Sequence, residues 1–303
     1  MRVLTSLADY EHALNNIQPH SLRRAVFNVL KERSDDMIFL SNAKCNLLAL
    51  EKSQAIRRRL IDLKDVLSFL EKITSEENVR YALIKVQPFI THLWNDVDML
   101  VLYKDVSNMI NAARRYFGDV TVVGRPSRSG VTLYIKRLSL RLDLYAAVGW
   151  RGLLVIKNSN NVMFSHLVKD NLAYCGESYE IQVLTPELDT LIQLIHAYQS
   201  ENAITLADFI KVLLSINLDF SSVEHLFVVP PAMILQFFSR TALKMLRELL
   251  VIGRIAIPLI EKAVVSLHII LENLKLRNIN FRSYYYEVEQ LISYIFSSRG
   301  KMS

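Results

Sequence analysis

Residues 92–103 read HLWNDVDMLVLY, a run in which two aspartates, Asp96 and Asp98, stand directly before an apolar stretch. The apolar part, 99–103, is typical of a strand that is buried on both faces. A carboxylate at the start of such a strand is costly unless a cation or hydrogen-bond donors meet it. The stretch therefore predicts either a strand that begins in a polar turn or a strand that begins at a metal site.

The spacing of the two aspartates favours the second interpretation. Side chains alternate between the two faces of a strand, so positions 96 and 98 point the same way. Two neighbouring carboxylates repel each other unless a divalent cation is shared between them. Magnesium prefers hard oxygen ligands and commonly binds one or two carboxylates together with substrate phosphates. Asp96 and Asp98 are therefore candidate ligands for Mg²⁺ or Mn²⁺.

A third candidate acid lies in the run RLDLY at 141–145. Alternation places Arg141, Asp143 and Tyr145 on one face of a predicted strand and the two leucines on the other. An acid in the middle of a strand needs a partner, which is either Arg141 or the metal held by the first two aspartates. Two metal ions about 3.5–4 Å apart are a known solution for phosphoryl and nucleotidyl transfer. Asp143 thus joins Asp96 and Asp98 as a candidate catalytic and metal-binding residue.

The segments around these acids predict a small mixed sheet with helices on one face, and so an α+β fold. Runs rich in apolar and β-branched residues predict the strands, and apolar residues three and four apart predict the helix. In chain order the predicted elements are strand 79–86, strand 96–103, helix 105–117, strand 119–124, and a hairpin of 131–136 and 139–147 that turns near Lys136 and Arg137.

Helical patterns dominate on both sides of this core. We expect an N-terminal helical region at 1–77, an α/β core at 78–157, and a C-terminal helical domain at 158–303. In the last of these, helices are predicted at 160–170, 186–199 and 203–215, the second of which starts with Pro186 and Glu187 as first helical turns often do.

The most hydrophobic region, 249–271, does not predict a membrane span. Four residues, Arg254, Pro258, Glu261 and Lys262, interrupt it before about 20 apolar residues accumulate. We expect a buried helix pair there. The apolar C-terminal helices also offer a surface for self-association into homo-oligomers.

Composition limits the class of protein and the compartment. Of the 303 residues, 51% are hydrophobic and 22% charged, which supports large packed cores and argues against disorder. The 36 basic and 30 acidic residues give a net charge of +6, which permits a polyanionic partner such as a nucleotide or RNA. Cys45 and Cys175 have neither metal-ligand spacing nor a disulfide framework, so we expect a reducing, cytoplasmic environment.

Basic residues in and near the predicted sheet are candidate partners for phosphate groups. The alternative is a solvated hairpin edge, where lysine and arginine discourage edge-to-edge pairing. The residues are Arg125, Arg128, Lys136, Arg137, Arg141 and Arg151.

The order of the segments carries a family resemblance. In sequence they are YALIKV (81–86), NDVDMLVLY (95–103), RLDLYAAVGW (141–150) and VLTPELDTLIQLIHAYQSENAITLADFIKVL (183–213). Over about 130 residues the chain resembles the nucleotidyltransferase superfamily of the DNA-polymerase-β type, and within it an uncharacterised branch. Members have an Asp-x-Asp strand, a later strand with a third acid, and then a helical part.

The resemblance implies a reaction and a set of site residues. The reaction is transfer of a nucleoside monophosphate from a nucleoside triphosphate such as ATP to a hydroxyl of an RNA, a protein or a small molecule, with one or two Mg²⁺ (or Mn²⁺) ions. By position, Asp96, Asp98 and Asp143 match the catalytic and metal-binding residues, and Lys85 matches the lysine before the family's glycine. Lys85, together with the basic residues Arg141 and Arg128 near the predicted sheet, is a candidate nucleotide-binding residue. His196 and Asp208 match the helical pattern, in a structural or a catalytic role.

One segment departs from the family's pattern. The superfamily usually places Gly-Ser or Gly-Gly before the acids, where the backbone comes close to the triphosphate. This chain has Lys85-Val86-Gln87-Pro88 there, and no glycine precedes Gly118. The alternative function is therefore a catalytically inactive protein of the same fold that acts as a binding or interaction module. A third interpretation is a wholly helical scaffold whose acids are surface caps.

Overall fold

The computed structural model describes most of the chain between residues 54 and 276. The described ranges are 54–76, 79–85, 96–124, 130–150, 153–157, 164–174, 177–205, 208–209, 211–212, 215, 218–245, 248–249 and 254–276. The helices are α1 (Gln54–Glu76), α2 (Val106–Phe117), α3 (Pro186–His196), α4 (Ser221–Glu224), α5 (Pro231–Lys244) and α6 (Leu259–Lys275). The strands are β1 (Tyr81–Leu83), β2 (Asp96–Val101), β3 (Val120–Gly124), β4 (Val131–Ile135), β5 (Arg141–Tyr145), β6 (Gly149–Trp150), β7 (Leu153–Leu154), β8 (Leu167–Tyr174), β9 (Glu177–Leu184), β10 (Ala203–Thr205) and β11 (Arg254–Ala256).

Seven of these strands form one mixed sheet in the order β3-β4-β5-β2-β1-β9-β8. Strand β2 runs parallel to β5 and β1 runs parallel to β9, whereas the other neighbours are antiparallel. Two small ribbons, β6–β7 and β10–β11, stand outside the sheet. The predicted α+β class is confirmed, and the wholly helical interpretation is wrong.

One face of the sheet is apolar and packs against α1 and α2. Alternate residues of the central strands, including Val97, Met99 and Leu142, are buried in this core. Phe69 of α1 and Phe117 of α2 join them, with ring centroids 4.9 Å apart. Because side chains alternate along β2, the residues at 96, 98 and 100 point to the opposite face.

At one end of the opposite face the sheet packs against α3. Ala82 of β1 and Leu100 of β2 are fully buried with Leu188 and Leu191 of α3, in a core that extends to α5 and α6. Beyond Leu100 the same face carries the polar residues of β2 and β5. This is where an apolar core gives way to a cluster of charged side chains.

The start of α3 follows from its sequence, and its end is unusual. Pro186 occupies the first turn, where its missing N–H is not needed, and Glu187 and Asp189 place negative charge at the positive helix end. After His196 the chain continues as a π-helical turn, Ala197–Glu201, instead of the expected α-helix, and Asn202 then adopts a left-handed φ of 55°.

The helix predicted over 160–170 is wrong where the structure describes it. From residue 167 the chain forms β8, which pairs with β9 from Leu167–Leu184 to Tyr174–Glu177. On this edge strand Leu172 is buried whereas Val168 is 38% exposed. Because pairing along β9 satisfies the backbone, tertiary context overrides a helical spacing of apolar residues.

The helix predicted at 203–215 is wrong at its start, although residues 208–209 and 211–212 are helical as predicted, and the helix pair predicted over 249–271 is wrong at Arg254–Ala256. Residues Ala203–Thr205 and Arg254–Ala256 are the strands β10 and β11, which pair antiparallel. The directly paired Ile204 and Ile255 are both buried. Among the described residues of the second region, residue 249 and α6 are helical, and β11 stands between them where a helix was expected. Strands of three residues are too short to leave a period in the sequence.

The sheet continues past the predicted core boundary at residue 157. Strands β8 and β9 belong to it, because β9 pairs with β1 through Leu83 and Val183. The division into 1–77, 78–157 and 158–303 stays a prediction, but the seven-stranded sheet runs to residue 184.

No helix in the described ranges has both the length and the apolar content to cross a bilayer. The cytoplasmic location and the self-association through C-terminal helices stay predictions.

Candidate active site

The parallel pairing of β2 with β5 determines which polar side chains meet. Its register aligns Asp96 with Arg141 and Asp98 with Asp143. Directly paired residues of neighbouring strands point to the same face, so these four side chains form one patch. The antiparallel pairing of β4 with β5 adds Thr132, which stands opposite Asp143. We call this patch, with Lys85, the acid face.

Arg141 joins two of the acids. Its Nη2 lies 2.7 Å from Asp96 Oδ2, and its Nε lies 3.3 Å from Asp143 Oδ2. Hydrogen bonding to Asp96 raises the pKa of Arg141 above its usual range, so the guanidinium stays charged. The other oxygen of Asp143, Oδ1, accepts a hydrogen bond of 2.5 Å from the Thr132 hydroxyl. The orientation of Asp143 is thereby set from both sides.

Asp98 is as enclosed as Asp143 but has a different set of partners. Its side chain is only 11% exposed, and its Oδ2 lies 2.6 Å from the Lys85 ammonium. Burial raises the pKa of Asp98, the Lys85 charge opposes that rise, and the Asp96 charge adds to it. Burial, followed by the charge of Asp98, also raises the pKa of Tyr145. Asp98 Oδ1 is buried and has no hydrogen-bond partner of ordinary geometry in the part of the chain that the structure describes, although hydrogen bonding from the Tyr145 hydroxyl to the Asp98 carboxylate lowers the pKa of Asp98.

Lys85 reaches the acid face by an unusual backbone conformation. It follows β1 and has a φ of 59°, in the left-handed region that side-chain-bearing residues rarely adopt. Its backbone N–H donates a 2.7 Å hydrogen bond to Asp189 Oδ1, at the start of α3. This N–H occupies the part of the chain where the family places glycine, and it is not open to a phosphate.

The acid face offers hard oxygen ligands, but basic side chains hold them. Within the described ranges, no group of three or more His, Cys, Asp or Glu residues is arranged to hold a metal ion. The fit to Mg²⁺ rests on the buried, unpartnered Asp98 Oδ1 and on the neighbouring Asp143 carboxylate, since Mg²⁺ prefers such donors. Three carboxylates and two cations leave the patch with a net charge of −1, which still favours a cation. The metal assignment stays a prediction.

Five of the predicted site residues come together on this face. They are Asp96, Asp98, Asp143, Lys85 and Arg141. The sixth, Arg128, lies outside the described residues, so its nucleotide-binding role stays a prediction. Asp143 is met by the partner that the sequence offered as the alternative to a metal, namely Arg141.

The two residues matched to the family's helical pattern lie apart from the acids. Asp208 is buried and accepts hydrogen bonds from Gln193 Nε2, at 2.6 Å, and from the backbone N–H and hydroxyl of Thr205. His196 is the last residue of α3 and is partly buried. Their geometry supports a structural role for Asp208.

Sequence reasoning missed Thr132 and Asp189. A two-residue turn at Lys136 and Arg137 would pair Thr132 with Arg141, whereas the longer loop that forms shifts the partner to Asp143. Asp189 gave no signal beyond its place in a first helical turn, where an acid is ordinary.

No protein-family model matches the sequence, and no curated protein matches it at a significant level. Among solved structures, the chain is similar to the crystal structure of an antigenic nucleotidyltransferase-like protein from Paracoccidioides brasiliensis. The similarity has a TM-score of 0.39 at 14% identity and covers 61% of this chain and 90% of that chain. That neighbour bears the name of the class that the sequence resembles, but a TM-score this low carries no argument. The fold rests on the strand order described above.

Proposed function

We propose that the protein is a metal-dependent nucleotidyltransferase that moves a nucleoside monophosphate from a nucleoside triphosphate to a hydroxyl group. The observation that carries the proposal is the register of β2 and β5, which aligns Asp98 with Asp143 and keeps Asp96 on the same face. Three carboxylates that converge beside two basic side chains suit nucleotidyl transfer, in which the site must stabilise negative charge on the oxygens around phosphorus.

The three acids would share one divalent cation or two. Asp96 and Asp98 would hold the ions, and Asp143 would ligate the ion nearest the acceptor. When bound, Mg²⁺ or Mn²⁺ would neutralise phosphate charge and stabilise the attacking and leaving oxygens. The unpartnered Asp98 Oδ1 supports this assignment, since a buried carboxylate oxygen is costly without a cation or donor.

The chain's own residues would orient the reactants and move one proton. Thr132 donates to Asp143 Oδ1 and Arg141 lies against Oδ2, so Oδ2 would accept the proton of the acceptor hydroxyl once Arg141 has turned to the triphosphate. The acceptor oxygen forms a bond to the α-phosphorus, the bond from that phosphorus to the bridging oxygen breaks, and pyrophosphate leaves. Lys85 and Arg141 would turn from the acids to the triphosphate, which Arg141 can do because its side chain is 43% exposed. Arg128 would add a further basic side chain to the triphosphate.

The acceptor belongs to the proposal only as a class. An RNA end, a protein side chain or a small hydroxyl compound would each supply the oxygen that Asp143 deprotonates. The net charge of +6 favours a polyanionic substrate or acceptor and does not choose among them.

Transfer from labelled triphosphates in Mg²⁺ or Mn²⁺ tests the proposal. Replacing Asp98 or Asp143 with asparagine should lower kcat by about 100-fold or more, because the electrostatic stabilisation of the transition state is lost. Asp119→Asn is the matched control, since Asp119 precedes β3, is 69% exposed and pairs with Lys136 at 3.5 Å. Equal transfer by the parent, Asp98→Asn and Asp143→Asn would contradict the mechanism.

A second function, nucleotide binding without turnover, is favoured by a specific observation. Lys85 Nζ and Arg141 already hold the acids, and the Lys85 N–H is bound to Asp189 instead of being open to a phosphate. In this case the fold would serve as a binding or interaction module.

Titration calorimetry with ATP, GTP, CTP and UTP in Mg²⁺ separates the two functions when it is combined with the transfer assay. Binding that Asp98→Asn weakens, without transfer to any acceptor, would favour the binding module. Binding together with transfer would favour the enzyme. Absence of binding by the folded parent would count against both.

A further inference from the structure

The position of the Lys85 side chain is not what its place in the sheet predicts. Along β1 and just after it, Ala82 and Ile84 belong to the core beside α3, whereas Tyr81 and Leu83 belong to the core beside α1 and α2. Strict alternation would send Lys85 to the α1 and α2 side. Its ammonium instead lies on the acid face.

The left-handed conformation of Lys85 accounts for this reversal. Ile84 is still in the sheet, where its N–H donates to Asp98 O at 3.1 Å. One residue later the φ of 59° breaks the alternation, and the Lys85 ammonium lies 2.6 Å from Asp98 Oδ2. A residue with a side chain needs support to remain in this conformation.

The support comes from a buried carboxylate on α3. Asp189 is 7% exposed, and its Oδ1 accepts the Lys85 N–H at 2.7 Å. Its Oδ2 accepts from the Lys211 ammonium at 2.5 Å, so both oxygens are occupied.

Asp189 is itself fixed by a polar network. Lys211 Nζ also donates to Gln193 Oε1 at 2.7 Å, and Gln193 Nε2 donates to Asp208 Oδ1 at 2.6 Å. Asp189, Gln193, Asp208 and Lys211 are all buried. A buried network whose members are hydrogen-bonded is rigid, which suits a residue that must hold another in place.

We propose that Asp189 is a positioning residue, which accepts the Lys85 N–H and so stabilises the left-handed turn that places the Lys85 ammonium on the acid face. The inference rests on the proposed function for its consequence in catalysis, but the positioning itself can be measured without nucleotide. Through this contact the helical part after the sheet shapes the acid face without touching a substrate.

Three variants of the whole chain isolate the hydrogen bond from the buried charges. Lys211→Met removes the ammonium that pairs with Asp189 but keeps the Asp189 carboxylate as the acceptor of the Lys85 N–H. The double variant Asp189→Ala/Lys211→Met removes both charges and the acceptor. The double variant Asp189→Asn/Lys211→Met removes both charges but keeps an oxygen that can accept the Lys85 N–H. Comparison of the two double variants therefore reports on that acceptor alone, with no unpaired buried ammonium in either.

The first readout is amide hydrogen exchange of Lys85 by NMR in the absence of nucleotide. We expect exchange about tenfold faster or more in Asp189→Ala/Lys211→Met than in Lys211→Met, because a hydrogen bond to a carboxylate is lost. Asp189→Asn/Lys211→Met should return to within about threefold of Lys211→Met. The Ile84 amide should keep its protection in all three proteins, which would show that the sheet is intact.

The second readout is kcat/KM for triphosphate. Relative to Lys211→Met, it should be about tenfold lower in Asp189→Ala/Lys211→Met and should recover in Asp189→Asn/Lys211→Met. Equal Lys85 exchange in the two double variants, or loss of Ile84 protection together with that of Lys85, would overturn the positioning role. Exchange that behaves as expected in a chain that never transfers nucleotide would keep the positioning role and reject the enzyme.

Discussion

Two carboxylate sites of this protein differ in what surrounds them. Glu261, at the start of α6, is 2% exposed and accepts hydrogen bonds on both oxygens, from Arg240 and Thr241 on Oε1 and from Thr241 and Tyr198 on Oε2. Asp98 on the acid face has a side chain that is 11% exposed; its Oδ2 pairs with the Lys85 ammonium, and its Oδ1 has no hydrogen-bond partner among the described residues.

The difference separates a carboxylate that holds a fold together from one that is open to a ligand. At Glu261 each acceptor position is used by the protein, and nothing is gained by adding a cation. At Asp98 burial raises the pKa and Oδ1 has no hydrogen-bond partner among the described residues, so under the proposed function a bound cation would offset the cost of burying this carboxylate. We therefore expect changes at Glu261 to appear in stability and changes around Asp98 to appear in transfer.

The largest effect on stability should come from Glu261→Ala. The Tyr198 and Thr241 hydroxyls lose their acceptor inside the core, so the free energy of unfolding should fall by about 3 kcal/mol. Urea unfolding measures it. Glu272→Ala on the same helix is the control, because its pair with the exposed Lys275 should contribute no more than about 0.5 kcal/mol. Equal losses at Glu261 and Glu272 would refute the contrast between the two sites.

Two threonines provide a matched test, of which Thr241→Val is the structural half. The Thr241 hydroxyl lies 3.0 Å and 2.9 Å from the two oxygens of Glu261. Its loss should lower the free energy of unfolding by about 1–2 kcal/mol, because a buried carboxylate loses a donor. The transfer rate per folded molecule should not change. A changed transfer rate with unchanged stability would show that the Glu261 site takes part in the transfer reaction, against this prediction.

Thr132→Val is the catalytic half of the pair. The Thr132 hydroxyl donates to Asp143 Oδ1 at 2.5 Å on a partly exposed face. We expect kcat about tenfold lower, as for other groups that orient a ligating carboxylate, and a stability change below about 1 kcal/mol. Thr132→Ser keeps the hydroxyl and should keep the rate. If serine and valine reduce kcat alike, the hydroxyl does not orient Asp143.

The smallest effect is a pH dependence of stability at Asp98. Burial raises its pKa in the folded chain above the unfolded value of about 3.9, so the folded chain binds the proton more tightly. The contribution of this tighter proton binding to stability is fully present at pH values below the unfolded pKa, and it is lost as the pH rises through the folded pKa. Asp98→Asn should remove this loss, for a relative gain of roughly 1 kcal/mol or less between pH 4 and pH 7 without metal. Urea unfolding of parent and variant at both pH values measures this difference. An identical pH dependence in the two proteins would contradict the claim that burial raises the pKa of Asp98.

The central strands and their polar faces could be predicted because the rules involved are local. Alternation alone placed Asp96 with Asp98 and Asp143 with Arg141 on common faces, and the structure has both pairs so arranged. That β2 and β5 are neighbours, and run parallel, is not a local property. Periodicity does not predict it.

The failures occurred where tertiary pairing decides the structure. Strand β8 lies at the sheet edge, and its backbone is satisfied by β9 regardless of a helical spacing of apolar residues. Strands β10 and β11 are too short to show a period, and each exists because of the other. The hydrogen bond from Lys85 to Asp189 joins residues 104 positions apart, and no sequence pattern near either residue predicts it.

That separation has a consequence for biosynthesis. A ribosome delivers β2 and β5 before it delivers α3, and β1 cannot gain its parallel neighbour until Val183 has been made. We expect a nascent chain that stops short of Asp189 to assemble the aspartates without the lysine turn. The complete acid face would then form only late in translation. A product truncated before Asp189 would contain the three aspartates but would lack the contact between the Lys85 ammonium and Asp98.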